Sequence, residues 1–229
     1  MDGIERAIRA LAEGTPVLIF DSDDREGEVD MVFHASHATP DRVYKLRTEA
    51  GGLICYATDW RIASGLGLTW GDTLIALHDP LRPLTLKRLG YGDRPAFTIW
   101  VNHIEVKTGI SDEDRSKTIR ELDKTITLYI DNGPEEAREK FISEFQAPGH
   151  VPLLAGRPLR ERRGHTELSL ALAKLANLTP SVFFAEMLDY GKSMNVETAT
   201  RLAEKNKWPI IDGLTIIEAC RREEVCWRG

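Results

Sequence analysis

The chain has 229 residues, 42% apolar and 29% charged, with a formal net charge of −6. That is enough apolar material for a sizeable core, most simply one domain over residues 1–229. The acidic balance and the shortness of the arginine runs exclude a nucleic-acid groove, and no apolar run approaches the ~20 residues of a membrane span. Cys55, Cys220 and Cys226 are odd in number and lack metal-ligand spacing, so they read as reduced thiols of a cytoplasmic protein.

Ile4, Ala7, Ile8 and Leu11 recur at helical spacing before Gly14, and this amphipathic helix lacks the apolar core of a secretory leader. Val17–Phe20 reads as a short buried strand, and apolar character resumes at Met31 after an acidic stretch. Thr39-Pro40-Asp41 caps a helix carrying Val43, Leu46 and Arg47, and Gly51-Gly52 forms a turn feeding a strand through Ala57. Residues 60–95 show no period. A strand follows over 96–106, then a helix over 111–128 behind a Ser111 cap, then a short helix from Gly133-Pro134 to about Phe145. Residues 146–150 read as a loop before the apolar run 151–155. The last third predicts a helix over 166–176, a strand over 181–185, a helix over 196–205, a strand over 209–211 and a final helix capped by Asp212. Without repeats or linkers, the fold class is mixed α/β: a single domain with a mixed sheet flanked by helices.

Six of the ten residues from Asp21 to Asp30 are carboxylates, directly after a buried strand. Such density repels itself unless a cation neutralises it. If the chain stays extended there, Glu26, Glu28 and Asp30 face one side, a set suited to Mg²⁺ or Mn²⁺. A helix-loop-helix calcium site fails, because Arg25, Glu26 and Val32 stand where that pattern needs a ligand, a glycine and a glutamate. A solvated acidic turn is the plain alternative.

Arg162-Arg163-Gly164-His165-Thr166 opens a helix, where a glycine admits an anion to backbone N–H groups and arginine adds charge-assisted bonds. His165 could join a carboxylate at a metal; the plain alternative is Thr166 capping the helix among surface arginines. His150 stands on a turn-flanked loop, and Cys55 lies in an apolar run where an inert thiol is the default. Glu186 ends the apolar run 182–185, where desolvation suits a carboxyl to proton transfer.

Together these segments resemble the 3,4-dihydroxy-2-butanone 4-phosphate synthase family of riboflavin biosynthesis. The resemblance lies in residues 23–30, 47–55, 107–115, 148–150, 162–167 and 186–194, in order along nearly the whole chain. It implies that Glu26 and His165 hold Mg²⁺ (or Mn²⁺), as a pair of ions per site. Arg25 and Asp30 would contact substrate, and Arg162 and Thr166 would hold its phosphate, with Arg163 and Gly164 in the same loop. His150 and Glu186 would be essential for turnover, and Glu28, Cys55 and Thr108 would line the site. The family's fold is a single mixed α/β domain that forms a homodimer with shared active sites. Its reaction enolises D-ribulose 5-phosphate, removes the C1 hydroxyl, rearranges the skeleton and releases C4 as formate. Residues 60–105 match the family pattern poorly, and the cyclohydrolase domain fused to some relatives is not expected. Two alternatives stand beside this reading. Another metal-dependent sugar-phosphate enzyme would release no formate, and a metabolite-binding module would not depend on Glu186 or His150.

Overall fold

The computed structural model describes residues 3–87, 90 and 92–223. In chain order the elements are α1 (Gly3–Glu13), β1 (Val17–Phe20), β2 (Val29–His34), α2 (Pro40–Lys45), β3 (Cys55–Asp59), α3 (Trp60–Gly65) and α4 (Gly71–Ala76). Then come β4 (Phe97–His103), α5 (Asp112–Asn132), α6 (Pro134–Glu144), β5 (Phe145–Gly156), α7 (His165–Leu175) and β6 (Ser181–Glu186). β7 (Leu188–Asp189), β8 (Lys192–Ser193), α8 (Val196–Asn206), β9 (Ile210–Asp212) and α9 (Gly213–Glu223) complete the chain. Seven strands form one sheet in the order β4-β5-β3-β6-β2-β1-β9, with β3–β5 and β1–β9 parallel and the other pairs antiparallel. The expected mixed α/β class, with a mixed sheet flanked by helices, is borne out.

Period-two alternation divides the strand residues between two cores. Val29, Met31, Phe33, Tyr56, Phe183 and Ala185 pack with α2, α5 and α8. Val17, Ile19, Val32, Cys55, Ala57, Val182 and Phe184 pack with α1, α7 and α9. In the first core Phe33 and Phe183 are cross-strand partners, stacked with ring centroids 5.4 Å apart. Burial of each such ring contributes about 1.5–3 kcal/mol. By the same alternation Asp30, Cys55 and Glu186 fall on the α7 side, which is where the candidate site forms.

Several sequence expectations are corrected. The chain is not extended through the acidic stretch: residues 23–26 form a turn, and β2 begins at Val29. Residues 146–150 are not a free loop but part of β5, yet they bulge, since Val101 pairs with Val151 while Asn102 pairs with Gln146. Gly149 is required there, because a Cβ would stand 1.9 Å from the Val101 carbonyl carbon. β4 ends at His103, where the Val106 N–H turns back to the His103 carbonyl. The helix expected over 111–128 continues to Asn132 and stops at Gly133, which has φ 98°. The stretch 60–95 contains α3, α4 and a 3₁₀ segment (Asp79–Thr85); helices of six residues are too short to show a period. Trp60 stacks on Trp70 at 4.1 Å, and the Arg157 guanidinium covers Trp70 at 3.8 Å. Cys55 is a free thiol, but Cys220 is disulfide-bonded, so the reduced-thiol expectation fails there; Cys226 lies outside the described residues. An odd cysteine count forbids complete pairing, not a single bridge.

Candidate metal and anion site

The turn between β1 and β2 is organised by Asp21. Its carboxylate accepts the backbone N–H of Glu26 at 3.1 Å and of Glu28 at 3.1 Å, and it accepts Arg25 Nη1 at 3.0 Å. Gly27, at φ +67°, supplies the left-handed residue that reverses the chain. Glu26, Glu28 and Asp30 therefore converge by a turn rather than by strand alternation. Asp30 sits directly opposite Glu186 across β2 and β6, an arrangement of like charges that costs stability in a sheet. Burial is the main cause that pushes Asp30 up to about 7, and Glu186, Glu26 and Glu28 add to it against the pull of His165. Glu28 is also raised, first by burial and then by Glu186 and Glu26, with a hydrogen bond from Ser193 opposing.

His165 opens α7 and reaches into this turn. Its Nε2 lies 3.1 Å from the Glu28 carbonyl, a pure acceptor, so Nε2 carries a proton and donates it there. Nδ1 then faces Glu26 Oε2 at 3.2 Å and Asp30 Oδ1 at 3.7 Å. A neutral ring would point a lone pair at carboxylates, which is repulsive unless a cation or a proton lies between them. Burial would depress the imidazole, but Asp30, Glu26 and Asp21 outweigh it and raise it to about 9. The donor set suits a hard divalent cation, and the N–H bond to a carbonyl is the usual orienting contact of a metal-bound histidine.

The anion side lies along the same helix start. Arg162 is buried and bonds Glu167 through Nη1, while its Nε makes no hydrogen bond and lies 3.6 Å from Asp93 Oδ2. Arg25 donates to the same Asp93 oxygen from Nε at 3.3 Å and from Nη2 at 3.2 Å. Gly164, not Thr166, is the N-cap, and its N–H donates to Glu167 Oε2 at 3.2 Å. A Cβ on Gly164 would stand 2.5 Å from Arg162 Nη1 and 2.7 Å from Arg25 Nη2, so glycine lets both guanidinium groups close on the helix start. Thr166 is buried, and Arg163 is exposed.

A cavity of about 300 Å³ is lined by Glu26, Glu28, Asp30, Cys55, Arg162, His165, Thr166 and Glu186. Burial, then the charge of Asp30, pushes the Cys55 thiol far up, so it stays protonated. Ser193 Oγ lies 2.7 Å from Glu28 Oε1 and 2.7 Å from Glu186 Oε1. A hydroxyl has one proton, so it donates to one of these two oxygens at a time while lying within reach of both.

His150 and Thr108 do not join this cavity. They meet each other at Asn102: its Oδ1 accepts the His150 backbone N–H at 2.8 Å, and its Nδ2 donates to the Thr108 carbonyl at 3.4 Å. His150 is exposed on the β5 bulge, and Thr108 donates its N–H and hydroxyl to Asp114. Sequence reasoning assigned no role to Ser193 or Asp93 and none to Asp21 beyond its place in the acidic run; only the last carried a signal, as the residue that ends the apolar strand. Among the described residues, His103, Glu121 and Glu144 also bring potential ligand atoms together. There His103 Nδ1 accepts the Glu105 N–H at 3.2 Å, which leaves the proton on Nε2 facing Glu144, and Lys124 and Lys140 already neutralise the carboxylates. That tautomer disfavours a metal.

Fold and site together define an α/β protein in which a carboxylate–histidine cluster that could hold a cation adjoins an arginine-lined anion seat. The family model of 3,4-dihydroxy-2-butanone 4-phosphate synthase matches residues 5–219. The synthase of Archaeoglobus fulgidus is 40% identical over 95% of this chain and 94% of its own. That of Methanosarcina mazei is 38% identical over 95% and 91%. The solved synthase of Candida albicans has a TM-score of 0.72 at 27% identity, covering 94% of this chain and 95% of its own. A synthase solved in complex with two magnesium ions has a TM-score of 0.78, covering 99% of this chain and 100% of its own, and its 23% identity speaks for the fold alone. The chain belongs to the 3,4-dihydroxy-2-butanone 4-phosphate synthase family.

Proposed function

We propose that this protein converts D-ribulose 5-phosphate to L-3,4-dihydroxy-2-butanone 4-phosphate and formate in riboflavin biosynthesis, as a lyase dependent on Mg²⁺ or Mn²⁺. The observation that carries the metal-dependent chemistry is His165, whose Nε2–H is committed to a carbonyl while Nδ1 faces Glu26 and Asp30. Glu26 and His165 would hold the metal, with two ions per site as the proposed stoichiometry; a structural neighbour was solved in complex with two magnesium ions. The bound cation would stabilise negative charge building on adjacent substrate oxygens.

The protein's own groups supply the rest. Arg162, Arg25 and the start of α7 at Thr166 seat the phosphate, with Arg163 and Gly164 shaping that loop. Asp30, held at about 7, can both accept and donate protons near neutrality, and Glu28, raised by burial, stands beside it. Glu186, joined to Glu28 through Ser193, completes the set of proton carriers. Cys55 lines the wall as a neutral thiol.

His150 and Thr108, gathered on Asn102 apart from the cavity, act in the site of a second copy, so the working unit is a homodimer. No helix among the described residues is long and apolar enough to cross a membrane. A cytosolic location follows from the substrate, a phosphorylated sugar that does not cross membranes unaided. The test is formate release from ribulose 5-phosphate with Mg²⁺, with and without EDTA. Metal-dependent formate, lost in Glu26→Ala and His165→Ala, is expected; folded, metal-loaded protein that releases none would overturn the proposal.

A further inference from the structure

We infer that Ser193 is a positioning residue for turnover, its hydroxyl holding Glu28 and Glu186 as one carboxyl pair; this rests on the synthase reading above. The two acids come from different places. Glu28 belongs to the β1–β2 turn, and Glu186 ends β6. Among the described hydrogen bonds, only the Ser193 hydroxyl links their side chains, at 2.7 Å to each. Without it, two acids on the α7 side of the sheet would separate under their mutual repulsion.

The chain delivers Ser193 by a small hairpin. Leu188 pairs with Ser193 and Asp189 with Lys192, Gly191 takes φ +73° at the tip, and the Met194 N–H closes on the Met187 carbonyl. Tyr190 at that tip is 98% exposed, so the hairpin tip adds nothing to the core. The contact that this detour secures is the bridge between two acids of the cavity wall. Because Ser193 bonds Glu28 and Glu186 while Arg162 bonds Glu167, loss of the hydroxyl should act on the proton-carrying groups and spare phosphate anchoring.

The test compares Ser193→Ala with Ser193→Thr. In S193A, kcat should fall about tenfold or more while KM stays within about twofold, as expected for lost positioning of reacting groups. S193T restores a hydroxyl and should keep kcat within about threefold of the parent. Thermal melts should change little, since Ser193 is half-buried and belongs to neither hydrophobic core. Wild-type kcat in S193A, or an equal loss in S193T, would overturn the inference. Crystal structures of the parent and S193A give a readout independent of turnover: the Glu28 and Glu186 side chains should move apart in S193A. Unmoved carboxyls would overturn the inference even if wild-type formate release is established, whereas absence of formate from the parent protein would fault only the synthase reading.

Discussion

Metal affinity should rise steeply with pH, because a cation and a proton compete for the same lone pair on His165. The carboxylates around this buried ring hold it at about 9 in the metal-free protein. At pH 7 the solution lies two units below that value, so removing the proton costs about 2.7 kcal/mol at ~1.36 kcal/mol per unit. The apparent affinity for Mg²⁺ should therefore climb about tenfold per pH unit from 7 toward 9 and level off above. Stability of the metal-free protein runs the opposite way and falls as pH rises. His165 is raised from 6.5 to about 9, so the stability it contributes is complete below 6.5 and lost as pH passes 9. Asp30 is raised from 3.8 to about 7, so its contribution is complete below 3.8 and lost through 7. The two groups face each other and titrate as a pair, not as independent additions. Protection of the melting temperature by Mg²⁺ should thus grow with pH. Titration calorimetry at several pH values, in buffers of different ionisation enthalpy, should show about one proton released per ion bound near pH 7. An affinity flat across this range, with no proton release, would refute the reasoning.

Three further outcomes are expected. Arg162→Gln leaves Glu167 buried without its guanidinium partner and should cost about 3 kcal/mol in urea unfolding; it should also raise KM for ribulose 5-phosphate about tenfold, and an unchanged KM would remove Arg162 from phosphate binding. Native Cys55 should resist iodoacetamide at pH 8, and Cys55→Ala should keep kcat within about threefold, because burial holds the thiol protonated; rapid alkylation of the folded protein would contradict this. Mixing inactive Glu26→Ala and His150→Ala variants should, after subunit exchange, restore about a quarter of the parent activity if sites are shared across a two-fold dimer; no recovery from demonstrably mixed dimers would place His150 in its own chain's site.

How much of this could be read from sequence depends on how local each determinant is. Val17–Phe20 and the apolar part of β6 were legible because a short apolar run between polar residues has few other solutions. Glu26, Glu28, Asp30, His165 and Glu186 were legible as candidates because acids and a histidine crowd beside buried segments where they are otherwise costly. Their arrangement was not. Asp30 meets Glu186 through a strand register between residues more than 150 positions apart, which no local pattern encodes. The acids converge because Asp21 spends its oxygens on two backbone N–H groups and Arg25, a role visible only once the turn is formed.

The same argument separates the two sets of candidate residues. Glu26 and His165 are joined by contacts within one chain, while His150 and Thr108 are fixed by Asn102 on the β4–β5 edge of the sheet. The Asn102 site is strictly built: Gly149 must be glycine to lie on the Val101 backbone, and Gly109, at φ +93°, must be glycine to clear the Asn102 side chain. A bulge held this closely around an exposed histidine is unusual expense for a surface loop, since strained or crowded backbone persists where surrounding contacts enforce it. If, as proposed, that histidine acts against a second copy's cavity, the rigidity has a purpose, and subunit association would be a condition for turnover rather than an accompaniment to it.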